Sequence, residues 1–190
     1  MEAWKICRAL NNKIRLELLW RIANSPEHEL NVLQAGDFVG LGKAASSQYL
    51  KQLSDAGFLT VERSGKFVVC SSKLPSDAPT THVQKSLIEL LAKKVHPSSL
   101  DETLATINAF AHHVRIRVVN AIAKSEPVGF EQLYKTTGLP PATLRRQISI
   151  LVKANVVAAG DAAAGTRAYS LMRDGSALCR SLLKLATAEG

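Results

Sequence analysis

Two segments gather the side chains best able to do chemistry, KAASSQYLKQLSDAG (43–57) and PATLRRQISILVKAN (141–155). Lys51 and Lys153 are point cations, Arg145 and Arg146 are forked ones, and Gln48 pairs a donor with an acceptor. Such groups hold phosphate or carboxylate oxygens and read hydrogen-bonding edges, and they do so without covalent chemistry. Nucleophilic or acid–base machinery is not in view. The chain has no GxSxG, P-loop or GxGxxG, and no carboxylate pair spaced for acid and base work. His112 and His113 are adjacent and so do not share a helix face, while His28, His82 and His96 are isolated. Cys7, Cys70 and Cys179 are far apart, odd in number and outside any CxxC, which reads as buried, reduced thiols. Neither an enzyme nor a metal or cofactor site is expected.

The charge pattern agrees. The formal charge is +8, and each side of Pro97 carries an excess of +4, so the basic character is not a tail. A balance of this kind favours a polyanionic partner. The apolar fraction of 46% is that of a globular chain. The start, MEAWKICRALNNKIR, mixes acid and base and is not read as a secretory leader. No apolar run approaches the roughly 20 residues of a membrane span. A cytoplasmic protein with no membrane partner is expected.

The elements that must position those side chains occur twice. ALNNKIRLELLWRIA (9–23) recurs 100 positions later as AFAHHVRIRVVNAIA (109–123), as one helix in each copy. EAWKICRAL (2–10) corresponds to ETLATINAF (102–110). Prolines follow at Pro26 and Pro127, then short helices at about 29–36 and 129–136, then the turns Gly40-Leu41 and Gly138-Leu139. The two polar helices come next with an offset of 98, so that Leu50, Leu53 and Ala56 match Ile148, Leu151 and Ala154. Gly57 and Asn155 are suited to a left-handed helix end. TVERSGKFVVC then reads as a hairpin about Ser64-Gly65, and VVAAGDAAAGTRAYSL as one with a longer tip near 160–166. Terminal helices are expected at 81–95 and 175–189, with SSKLPSDAPT (71–80) as a link and HPSSL (96–100) as the join between copies.

This order is that of a winged helix-turn-helix, with the hairpin as wing. The fold class expected is mainly α with small β-hairpin wings (α+β), as two tandem winged-helix domains, 1–96 and 97–190.

Both copies resemble the ArsR-type winged-helix repressors of bacteria and archaea. Leu41-Gly42-Lys43-Ala44-Ala45-Ser46-Ser47-Gln48-Tyr49-Leu50, leading into Leu53-Ser54-Asp55-Ala56-Gly57-Phe58-Leu59, is similar to that family's recognition helix. Leu139 to Ile148, then Leu151 to Val157, repeats the pattern. The family's metal-sensing cysteine pair is missing, because Asn31 and Leu33 stand at its two positions, so metal sensing is not expected. Members pair through their first and last helices. The resemblance therefore implies an intramolecular pseudo-dimer within one monomeric chain, with further self-association open. Val83, Leu87, Leu90, Leu91 and Val95 on one terminal helix, and Leu178, Leu182, Leu183 and Leu185 on the other, offer apolar stripes for it, or simply close each domain.

The resemblance implies a DNA-binding transcriptional regulator whose partner is double-stranded DNA. Its contacts would come from Lys43, Ser46, Ser47, Gln48, Lys51 and Gln52 in the first copy, and from Thr143, Arg145, Arg146, Ser149 and Lys153 in the second. Arg63, Lys66 and Arg167 in the wings would reach the flanking backbone. The alternative is a winged-helix protein-assembly module that does not bind DNA.

Overall fold

A computed structural model describes residues 2–76, 80–93, 98–161 and 167–188. Within them the chain is mainly helical, with ten helices and two three-stranded antiparallel sheets. The first set runs α1 (Ala3–Leu10), α2 (Lys13–Ala23), β1 (Glu29–Asn31), α3 (Val32–Phe38), α4 (Lys43–Asp55), β2 (Thr60–Ser64), β3 (Phe67–Ser71) and α5 (Thr81–Lys93). The second set repeats that order: α6 (Ser98–Phe110), α7 (His113–Ser125), β4 (Val128–Gly129), α8 (Phe130–Thr137), α9 (Pro141–Lys153), β5 (Val157–Asp161), β6 (Arg167–Leu171) and α10 (Ala177–Thr187). Strand orders match as well, β1-β3-β2 and β4-β6-β5. The chain divides into two compact units, Arg8–Leu104 and Met1–Cys7 with Ala105–Gly190. Val95 and residues 96–97 of the expected join lie outside the described residues, as do most of the expected hairpin tip and part of the link at 71–80, whereas residues 98–100 of that join form the start of α6 and do not link the copies as a loop.

In the unit from Arg8 to Leu104, α2 packs on α3, α4 and α5. Leu16, Leu19, Ile22, Leu53, Phe58 and Leu87 are fully buried there. In the other unit α7 packs on α8, α9 and α10, and Val118, Val119, Ile122, Leu133, Leu144 and Leu182 are fully buried. Each of these side chains contributes roughly 1.5–3 kcal/mol by leaving water.

Three expectations are corrected. Residues 9–23 are not one helix, because Asn12 has an extended backbone and its side chain accepts from the Arg15 N–H at 3.1 Å, capping a new helix. In the repeat His112 takes that role, its Nδ1 accepting from the Val114 N–H at 3.2 Å. The helix expected from residue 29 starts instead at Val32. Asn31 and Gln34 form a reciprocal capping box, which frees Glu29–Asn31 to pair with β3. The terminal helix expected from 175 begins at Ala177, after the Ser176 cap.

The left-handed helix ends appear at the anticipated residues, Gly57 at φ +77° and Asn155 at φ +53°. Gln84 of α5 is buried and donates to the carbonyls of Phe58 (2.7 Å) and Ser72 (3.1 Å), tying α5 to both ends of the hairpin. No described helix is long and apolar enough to cross a membrane.

Gly36 sets how closely α3 approaches α4. A Cβ there would lie 2.8 Å from the Leu41 carbonyl oxygen and closer still to Ser46 Oγ. Gly36→Ala is expected to cost about 1–3 kcal/mol by overpacking, read as a lower urea midpoint. An unchanged midpoint would contradict the close approach.

Candidate nucleic-acid interface

The helices α4 and α9 have the same length and keep the offset of 98 from end to end. Residues four apart share a helix face. Lys43, Ser47 and Lys51 therefore line one exposed face of α4, with Gln48 beside them. Arg145, Ser149 and Lys153 line the matching face of α9, with Arg146 beside them. All of these are exposed, and Thr143 is partly so. The hairpin residues Arg63, Lys66 and Arg167 are exposed too. None of these eight cations pairs with a carboxylate of the described residues. Their charge stays available to a ligand. Arg145 is preset, since its guanidinium lies 5.0 Å from the Phe130 ring centroid, as a cation–π contact.

Neither Gly42 nor Pro140, the residues before α4 and α9, supplies a side-chain cap. The positive end of each helix dipole is thus left without a side-chain acceptor. The balance of charge differs between the copies. From Val32 to Ser71 there are four cations against three carboxylates, and from Phe130 to Leu171 five against two.

Two expected site residues are placed elsewhere. Ser46 is fully buried against Gly36, and its hydroxyl donates to the Gly42 carbonyl at 3.0 Å. The close crossing of α3 and α4 turns that face inward. Gln52 is half-buried, its Oε1 held by Arg15 Nη1.

Arg15 and its repeat Arg115 are the positioning residues that residue spacing alone did not expose. Arg15 donates from Nε to the Ala9 carbonyl and from Nη2 to the Arg8 carbonyl at 3.2 Å, besides its bond to Gln52. Arg115 donates from Nε to the Ala109 carbonyl at 3.1 Å, from Nη2 to the Asn108 carbonyl, and from Nη1 to Gln147 Oε1 at 3.3 Å. Each guanidinium thus closes the C-terminal carbonyls of one helix and holds a glutamine on α4 or α9 in place. Burial lowers the pKa of both arginines, and for Arg15 the nearby Tyr49 works against that shift. The recurrence of these two residues 100 positions apart was the only trace in the sequence.

The thiols are withdrawn from solvent. Cys7, Cys70 and Cys179 are buried. Burial pushes the Cys70 thiol up to about 11 and raises that of Cys179 against the opposing charge of Arg180. Among the described residues no three His, Cys, Asp or Glu side chains gather as metal ligands do. Glu126 ends α7. Its Oε2 accepts from the Leu171 N–H at 2.8 Å, and its Oε1 accepts from Arg173 Nε at 3.0 Å. Burial alone would raise its pKa, but those two donors and the charge of Arg173 bring it below the ordinary value.

No protein-family model, curated protein or solved structure matches the chain.

Removing the buried fork should be costly. Arg115→Ala is expected to lose about 2–4 kcal/mol, because the Ala109 carbonyl it served lies buried and the Asn108 carbonyl half-buried. Arg115→Lys should recover only part of that, since an ammonium lacks the fork. A double-mutant cycle with Gln147→Ala should show coupling, and strict additivity would deny the clamp. Glu126 gives a pH signature. A carboxyl with a lowered folded-state pKa stabilises above its unfolded value and loses that contribution as pH falls. The stability gap between wild type and Glu126→Gln should therefore shrink from about pH 5 downward. A gap constant from pH 6 to pH 3 would contradict the assignment.

Proposed function

We propose that this chain is a DNA-binding transcriptional regulator with two tandem winged helix-turn-helix domains. Its recognition helices are α4 and α9, its wings are the two hairpins, and double-stranded DNA is its partner. The observation that carries the reading is the matched pair of exposed stripes. Lys43, Ser47, Gln48 and Lys51 lie on one helix, and Arg145, Arg146, Ser149 and Lys153 on the matching face of the other; Ser47, Gln48 and Lys51 stand at the positions of Arg145, Arg146 and Ser149, and the cations of both stripes are unpaired. Cations hold phosphates, Gln and Ser suit base edges, and Arg suits guanine. The two helices differ in chemistry, so one chain acting as its own pseudo-dimer would prefer an asymmetric site.

One observation favours the alternative of a protein-assembly module. Phe38, Val61, Phe67 and Val68 are large apolar side chains left exposed in the Arg8–Leu104 unit. The cations on α4 still weigh towards DNA for that helix.

The reading is tested by anisotropy of a labelled duplex titrated with protein across salt concentrations. Arg145→Ala/Arg146→Ala should weaken binding and flatten the log–log salt slope by roughly two, about 0.9 for each phosphate no longer neutralised. No binding at low salt, where non-specific association persists, would contradict the proposal and favour the assembly reading.

A further inference from the structure

The two hairpins provide an internal comparison. Cys70 lies on β3 between Leu30 of β1 and Val61 of β2. Tyr169 holds the same place on β6, between Val128 of β4 and Ala159 of β5. Tyr169 is 9% exposed, so its ring is largely packed within its own unit. Where the second copy carries that phenol, the first carries a small thiol.

Next to Cys70 the structure leaves an open cleft of about 240 Å³ between α4 and the hairpin. Buried Leu50 and Cys70 form its floor, Val61 and Val68 its walls, and exposed Lys51 and Asp55 its rim. Strand alternation puts Val61, Val68 and Cys70 on one face of the hairpin, towards α4. Val61 and Val68 keep 43% and 39% of their surface in solvent. These are two apolar walls with nothing between them. The volume lies below the roughly 300–1,000 Å³ of sites for drug-sized ligands and suits a single ring. One cation and one carboxylate at the rim favour no net charge on the occupant, and neither pairs with another described side chain.

We propose that this cleft binds a small uncharged aryl compound of the phenol class. Its ring lies over Leu50 and Cys70, between Val61 and Val68, and its hydroxyl donates to the Asp55 carboxylate at the rim. The compound supplies to the first copy the group that Tyr169 supplies to the second. Lys51 also belongs to the stripe proposed to meet DNA. If that reading holds, ligand and duplex oppose each other through this residue, each weakening the other by the same factor.

The test uses p-cresol, the tyrosine side chain as a free molecule, titrated into the full chain without DNA and followed by amide NMR. Saturable shifts confined to α4, β2, β3 and the start of α3, where Val32 also lines the cleft, are expected, with at least ten-fold weaker binding in Cys70→Tyr and in Val68→Phe. Val68 is exposed, so its variant carries the test if Cys70→Tyr does not fold. Shifts that fail to saturate, that fall outside those elements, or that persist in both variants would overturn the proposal. The titration contains no duplex, so its outcome stands apart from the DNA reading. A second titration with a labelled duplex present then reads the opposition. Release of the duplex by p-cresol supports the coupling, and duplex binding unchanged at saturating p-cresol removes it while leaving the ligand site.

Discussion

Arg15 and Arg115 each bring a guanidinium to the junction of three helices, half-buried in the first copy and buried in the second. A buried cation is tolerated only when its donors are satisfied. Here the acceptors are mostly backbone carbonyls in the last turn of α1 or α6, which carry the negative end of the helix dipole. The remaining donor reaches a glutamine on α4 or α9. One side chain therefore ties the last turn of the first helix of each copy to the second helix and to a glutamine of the polar helix. If the fork is removed, the exposed stripes lose the support that aims them.

The two copies reach this arrangement with different partners. Gln52 stands one turn beyond the place that Gln147 occupies in the repeat, and Tyr49 fills that place instead, its ring 6.0 Å from the Arg15 guanidinium. The glycine at 36 permits a close crossing with Ser46, whereas the repeat has Tyr134 and Leu144 at the corresponding positions. Cys70 and Tyr169 differ in the same way. A shared backbone plan with divergent side chains gives the two copies exposed polar helices of unlike chemistry.

Much of this plan was legible in the sequence, because repeated apolar spacing and turn residues are local signals. Gly57 and Asn155 marked the ends of α4 and α9, and the period-two stretches marked both hairpins. The strands β1 and β4 were not legible. At three and two residues they carry no periodicity, and only pairing with β3 and β6 creates them. The caps at Asn12 and His112 lay inside segments whose apolar spacing runs straight through them. Within the candidate site, helical spacing found the outward faces of α4 and α9. It could not find that Ser46 turns inward, because that depends on a neighbouring helix approaching over a glycine. The partners of Gln52 and Gln147 were hidden for the same reason, since Arg15 and Arg115 are 37 and 32 residues away in sequence.

The central claim is that one chain reads DNA with two unlike helices. It is tested most directly by enriching bound sequences from a random duplex pool, then measuring how many chains occupy the enriched site. The expected result is a motif without two-fold symmetry, occupied by one chain. A palindromic motif held by two chains, or no enrichment over the starting pool, would contradict it.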